Sequence, residues 1–146
     1  MKALTLYDPW ATLVVLGKKQ YESRSWGTKY RGPLAIHVST AIRRWMEELY
    51  DQEPFRSALV GHRFSESGCI IGTVELLGCF KIGVLVNSVD FLTAKERAFG
   101  DYTPERWAWS LGSWKRLANP IPCRGRQRLW NVPEGVEEEL KRARYE

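Results

Sequence analysis

The sequence predicts a mixed α+β fold: a small mixed β-barrel, closed or partly open, surrounded by short helices. Three observations carry that expectation. Short apolar alternations recur along the chain, short amphipathic stretches fall between them irregularly, and no regular βαβ repeat is present. Closure would hide the edges that so many short strands otherwise expose. The length of 146 residues fits one domain spanning 1–146.

The elements follow in order. Residues 2–7, Lys-Ala-Leu-Thr-Leu-Tyr, alternate and read as the first strand. Asp8-Pro9 reads as an N-cap followed by proline at the first helical position. That helix carries Trp10 and Leu13, with Val14 or Leu16, and stops at Gly17. Residues 20–24 alternate again as a short strand, 25–32 read as loop, and 33–38, Pro-Leu-Ala-Ile-His-Val, as a buried strand. Thr40 can cap a helix reaching about residue 50, with Ile42, Trp45, Met46 and Leu49 on one inward stripe. A short helix over 55–60 and a polar turn or mobile loop over 61–67 lead into the longest strand-like stretch, 68–82. Thr93-Ala94-Lys95-Glu96 has the capping-box pattern and opens a short helix. Residues 106–111 set Trp107, Trp109 and Leu111 against Arg106, Ala108 and Ser110, a half-buried strand. Residues 129–132 make a last short strand, and Pro133 begins a charged terminal helix.

Composition narrows the function class. With 44% hydrophobic and 27% charged residues, the chain is globular rather than disordered. The net charge of +5 is concentrated in two blocks: seven basic residues and one acid over 18–44, and five basic residues with no acid over 111–133. Two such blocks converging on one face would attract phosphate or other anions, the plain alternative being a solvated surface. Seven tryptophans accompany this charge, each requiring a core or something to stack on. Three cysteines without C-x-x-C and two distant histidines argue against a disulfide scaffold and a structural zinc, so no metal and no cofactor is expected. The cysteine usage, the lack of an apolar run near the roughly 18–20 residues that span a bilayer, and the lack of a signal-peptide h-region predict a cytoplasmic protein with no membrane partner. Walker A, G-x-G-x-x-G, G-x-S-x-G and H-E-x-x-H motifs are missing.

The densest chemistry lies in Gly17-Lys18-Lys19-Gln20-Tyr21-Glu22-Ser23-Arg24. In an extended chain Gln20, Glu22 and Arg24 share one face, with Lys19 at its entry. Arg24 then supplies a planar fork for an anion, Glu22 accepts from an amine or holds the arginine, and Lys19 can serve as base or nucleophile. An ion pair at the start of a strand is the simpler alternative.

Gly17-x-Lys19-x-x-Glu22-x-Arg24 resembles the G-x-K-x-x-E-x-R signature of the ASCH domain (activating-signal-cointegrator homology). Other segments resemble the family in the same order: Leu6-Tyr7-Asp8-Pro9-Trp10-Ala11, Tyr30-Arg31-Gly32-Pro33-Leu34-Ala35-Ile36-His37, Gly72-Thr73-Val74-Glu75-Leu76, then Pro120-Ile121-Pro122, Gly125-x-Gln127 and Trp130. The resemblance implies a PUA-like fold and recognition of RNA or a nucleotide in a cleft lined by the signature. One branch of the family removes the acetyl group of N4-acetylcytidine with the signature lysine, a threonine and a later glutamate. Here Glu22 stands where that branch has threonine, and Glu96 is the candidate for the later acid. Other relatives are metal-dependent ribonucleases, for which this chain shows no clear carboxylate cluster.

The expected function is nucleic-acid binding, of RNA above all, with a hydrolase acting on acylated cytidine or on RNA as the alternative. The expected partner is RNA, another single-stranded nucleic acid, or a modified nucleoside. Lys19 and Glu22 are the catalytic candidates. Trp10, Lys18, Arg24, Trp26, Trp109, Arg124, Arg126 and Arg128 are the nucleic-acid-binding candidates, with Trp10 and Trp26 flanking the cleft, Trp109 at its edge and the alternating arginines tracking a phosphate backbone. Trp45 is assigned to the core, as are Trp107 and Trp109 from their shared strand face, the cleft edge being the alternative for Trp109, and Trp130 to closure of the barrel. His37 is assigned a structural hydrogen bond. Glu75, in an apolar strand, must be paired if buried, with Arg24 or Lys19 as partner.

Overall fold

The computed structural model describes residues 1–85 and 92–146. Six strands form one sheet in the order β2-β5-β4-β3-β1-β6: β1 (Lys2–Leu6), β2 (Tyr21–Arg24), β3 (Gly32–Val38), β4 (Cys69–Lys81), β5 (Trp107–Pro122) and β6 (Leu129–Asn131). β1 and β3 run parallel, and the remaining neighbours are antiparallel. The helices are short: α1 (Trp10–Val15), α2 (Arg44–Glu48) with a 3-10 turn over Leu49–Asp51, α3 (Phe55–Ala58), α4 (Ile82–Leu85), α5 (Ala94–Ala98) and α6 (Glu134–Arg142). The sheet curls into a half-barrel with these helices around it, so the mixed α+β expectation holds in its partly open form.

The long pair β4 and β5 curves because its register shifts three times, at Ile70/Gly72, Thr73/Glu75 and Leu76/Gly78. Extra residues at such shifts bend and twist a ladder. α1 crosses the sheet where Gly72 removes an obstacle: a Cβ there would lie 2.3 Å from the Lys115 carbonyl oxygen and 2.7 Å from Val15 Cγ1. Replacing Gly72 with alanine must push α1 off β4 or spread β4 from β5. Gly72→Ala should therefore cost about 2–3 kcal/mol, read as a lower urea midpoint. An unchanged midpoint would show that the backbone has room to relax.

α1 lies between two apolar layers. Ala11, Val14 and Val15 pack on Leu4, Leu34, Ile36, Val74 and Trp109 of the sheet. Leu13 faces the other way, into Phe55, Ala58, Leu59 and Phe99. On the opposite side of β1 and β3, Ala3 and Ala35 join Ile70, Leu117, Trp130 and Leu140, which seats α6. The N-terminal ammonium lies 2.9 Å from the Glu137 carboxylate.

Several expectations are corrected. α1 starts at Trp10, with Pro9 at the cap position and a cis Asp8-Pro9 peptide. Asp8 instead holds the helix by its buried carboxylate, which accepts from Thr12 N (3.0 Å) and Thr12 Oγ1 (2.6 Å). The same carboxylate accepts from the Tyr50 hydroxyl and from Ser65 N, so the segment 61–67 is tied down rather than a free loop. α2 begins at Arg44, not at Thr40, and of the predicted stripe Met46 is buried and Leu49 half-buried, while Ile42 is 46% and Trp45 53% exposed. The core assignment of Trp45 fails because a five-residue helix is too short to carry an eleven-residue apolar stripe inward. β5 extends eleven residues past the predicted end at 111 to Pro122, through Gly112 and through Ser113 with φ 46°. Such a backbone reads as a turn in sequence, yet here it is a kink within a paired strand. The three alternating arginines after Cys123 lie outside any strand, in the connection to β6.

Candidate functional site

The signature is assembled by how α1 ends. Gly17 has φ +72°, the left-handed conformation that terminates helices, and Lys18 N and Lys19 N both donate to the Leu13 carbonyl. A Cβ at Gly17 would collide with the Trp114 indole at 2.1 Å. The chain thus turns sharply into β2, where Glu22 pairs with Trp109 and Arg24 with Trp107 of β5. Glu22 and Arg24 share a face as expected, with Arg24 Nε 3.9 Å from Glu22 Oε2. Gln20 precedes the strand and does not join them through its side chain.

A cleft of about 690 Å³ opens beside β2, within the range of small-molecule pockets. Lys19, Glu22, Ser23 and Arg24 form one wall, and Arg126, Gln127 and Arg128 the facing connection. Thr5, Leu6, Tyr7 and Trp10 come from β1 and the start of α1; Phe55, Phe99, Gly100 and Asp101 close the remainder. Trp10 is pinned by a 2.7 Å hydrogen bond from its Nε1 to the Phe99 carbonyl.

Lys19 is 1% exposed. Its ammonium donates to the Tyr21 carbonyl and to the Tyr102 hydroxyl (3.0 Å), and lies 3.7 Å from Glu96 Oε2. Glu96 is held in turn: its carboxylate accepts from the backbone N–H groups of Gln20 and Tyr21 and from the Tyr102 hydroxyl (3.0 Å). Thr93 caps α5 by accepting from Glu96 N at 3.0 Å, as the capping box predicts, but the Glu96 side chain reaches across to β2 instead of back to Thr93. Burial, followed by the negative Glu96 beside it, raises the Tyr102 phenol far above its ordinary range and keeps it protonated.

Arg24 Nη2 donates to the Thr5 carbonyl at 2.9 Å. Its Nε is buried with no hydrogen-bond partner among the described residues, Glu22 Oε2 being too distant. A buried donor left unpaired is costly, so this guanidinium gains from any arrangement that brings an acceptor to it.

The other candidates separate into groups. Trp109 is 0% exposed in the core and offers no ring face to a base, so its place at the cleft edge is withdrawn. β5 turns that side of the strand onto the indole of Trp26, 4.8 Å away edge to face. Trp26 lies behind the cleft wall, and the Arg128 guanidinium sits over its ring at 4.1 Å. Lys18 and Arg124 are exposed and outside the cleft wall, whereas Arg126 and Arg128 belong to it. Glu75 is half-buried on β4, facing Pro33 and Gly112 in the ladders, and does not line the cleft. Tyr102, Asp101 and Phe99 went unread in the sequence, because nothing in their spacing marks the turn after α5 as part of a site. Among the described residues no three His, Cys, Asp or Glu side chains cluster as a metal site, and no helix is long and apolar enough to cross a membrane.

His37 is structural, as its position predicts. Its Nε2–H donates to the Cys123 carbonyl (2.7 Å), which leaves Nδ1 to accept from the Thr5 hydroxyl (3.2 Å). These bonds anchor the connection that carries Arg126 and Arg128. Burial, partly opposed by the Cys123 bond, holds its pKa below the ordinary 6.5. The unfolded chain therefore takes up a proton near pH 6.5 that the folded chain refuses, so stability falls as pH drops below that value and goes on falling until the folded pKa is passed. Urea midpoints at about pH 7.5 and about pH 5.5 should show this loss, and His37→Gln should remove part of it. An identical pH slope in the variant would contradict it.

The sequence profile of the ASCH domain matches residues 4–123, which include every cleft residue except Arg126, Gln127 and Arg128. The chain belongs to the ASCH domain family. This is a PUA-like fold family associated with RNA binding. The chain is similar to activating signal cointegrator 1 of Mus musculus, at 25% identity over 95% of this chain, and to that of Homo sapiens, at 26% identity over 95%. It spans about a quarter of those relatives, 23% of each. Among solved structures, the ASCH protein of Zymomonas mobilis superposes with a TM-score of 0.59 at 16% identity, covering 97% of this chain and 93% of that one. A point mutant of that protein gives 0.60 at 16% identity, covering 97% and 96%. At that identity the likeness supports the PUA-like fold and nothing more.

Proposed function

We propose that this ASCH domain binds single-stranded RNA and holds one nucleotide in the cleft beside β2. The observation that carries the reading is the set of three guanidiniums, Arg24, Arg126 and Arg128, around one cleft, with Arg24 retaining an unpaired buried N–H. Guanidinium forks suit phosphate oxygens, and the half-buried indole of Trp10 offers a surface for a base. Glu22 supplies an acceptor for an exocyclic amine. Lys19 belongs to the wall but is 1% exposed, and acts through charge and through the Tyr102 and Glu96 geometry. Lys18 and Arg124 would reach the chain beyond the cleft. Binding of a short oligoribonucleotide should weaken linearly in log–log salt coordinates, with a slope of about −2 for three phosphate contacts. A flat salt response, or no binding at roughly 50 mM salt, contradicts the reading.

One observation favours a second reading, hydrolysis of an acylated cytidine: Lys19 lines the cleft and its amine meets Tyr102 and Glu96, which themselves do not line it. In that reaction water adds to the acyl carbon, the carbon–nitrogen bond breaks and the proton goes to the leaving amine. An ammonium donating to Tyr21 and Tyr102 has no lone pair, so Lys19 must first lose a proton, for which the Tyr102 hydroxyl, 3.0 Å from Lys19 Nζ and 3.0 Å from Glu96 Oε2, is the bridge to Glu96. Release of cytidine from N4-acetylcytidine, abolished by Lys19→Ala, would favour this reading over binding alone; no turnover removes it.

A further inference from the structure

Trp45 is the outlier among the tryptophans. It is 53% exposed on α2, the most exposed large aromatic beside the cleft. It is nevertheless fixed, since its ring lies 6.1 Å from that of Trp10 at 63°, and Trp10 lines the cleft and is anchored to Phe99. An indole thus stands one ring outside the cleft mouth with much of its surface in water. Arg43 and Arg44 precede it directly and are exposed. Arg44 contacts Glu48 at 3.2 Å, but a pair with those side chains 91% and 53% exposed is weak and yields readily to a phosphate. Glu47 and Glu48 follow Trp45 in this helix, so the two arginines precede the indole and the two acids come after it.

Exposed aromatic surface directly beside two arginines suits a stacked, charged strand more than it suits a protein. A protein interface core is depleted of charge and needs a continuous apolar patch. Stacking on aromatics with cations tracking the backbone is how single-stranded nucleic acid is held without base readout.

We propose that Trp45 is a stacking platform for the nucleotide next to the one in the cleft of a bound single-stranded RNA, with Arg43 and Arg44 taking the intervening phosphate. The inference rests on the cleft reading above. It makes the interface at least two nucleotides long, running from the Arg24 cleft over Trp10 to α2.

The test compares two probes, octauridylate and uridine 5′-monophosphate, by NMR titration of the intact protein, with circular dichroism confirming the fold of each variant. Trp45→Ala should weaken octauridylate binding roughly tenfold and leave the monophosphate unaffected. Trp45→Phe should restore most of the loss, whereas Trp45→Leu, which keeps apolar bulk without a ring, should not. Octauridylate binding unchanged by Trp45→Ala, or restored equally by leucine, overturns the platform. Equal losses for both probes also overturn it, because Trp45 would then act through the cleft itself. Arg24→Ala separates the two claims: loss of monophosphate binding there sustains the cleft reading whatever Trp45 does, and monophosphate binding indifferent to Arg24 refutes that reading on its own.

Discussion

Arg24→Ala should lower affinity for single-stranded RNA by about 10- to 100-fold. The estimate follows from losing charge-assisted hydrogen bonds of roughly 1.5–3 kcal/mol. Arg24 sits on β2 with one hydrogen bond to Thr5 and a buried Nε that nothing satisfies among the described residues. A phosphate or base acceptor entering the cleft meets the remaining N–H groups of a partly buried fork that the Thr5 bond already holds in place. Arg24→Lys keeps the charge but not the fork, so it should recover only part of the affinity. Fluorescence anisotropy with a labelled oligoribonucleotide reads both variants. An affinity unchanged in Arg24→Ala would mean that the exposed basic residues alone carry binding.

Glu96→Ala should be the more damaging change to stability, by about 3–5 kcal/mol, the range for removing one partner of a buried ion pair. The substitution strands the Lys19 ammonium at a site 1% exposed and takes away the acceptor of two backbone N–H groups and of the Tyr102 hydroxyl. A melting temperature lowered by roughly 10 °C or more is expected for a domain of this size. Lys19→Ala should cost less, because Glu96 keeps its three other donors. The double variant should cost less than the two singles added together, since no charge is then left alone. A loss below about 1 kcal/mol in Glu96→Ala would show that water reaches Lys19 and that the pair is not structural.

Local spacing made the signature legible. Two-residue periodicity puts Glu22 and Arg24 on one face, and a glycine two residues before Lys19 ends the helix that aims them. The same logic found the strands and the capping threonine of α5. What escaped was set by tertiary packing. The strand alternation that set Trp109 beside Trp107 and Leu111 did point Trp109 to the core, whereas the exposure of Trp45 escaped because pattern alone does not reveal that α2 is a single short turn of helix. The Glu96 side chain fits a capping box in sequence, yet its carboxylate serves β2, more than seventy residues away along the chain. Tyr102 joins Lys19 from the turn after α5 with no periodic signal at all, and Asp8 ties Tyr50 and Ser65 to the start of α1 through a carboxylate that reads as a simple helix cap. Long-range polar contacts of this kind depend on how elements dock, which local sequence does not encode.

The central claim is that RNA enters the cleft beside β2. Mapping backbone amide shifts while titrating octauridylate into the intact protein tests it most directly. Saturable changes are expected at Ser23, Arg24, Gly100, Asp101 and the 126–128 connection, with little change along α6. Changes centred on α6 or on β4 away from the cleft, with the Arg24 and Gly100 amides unmoved at saturation, would contradict it.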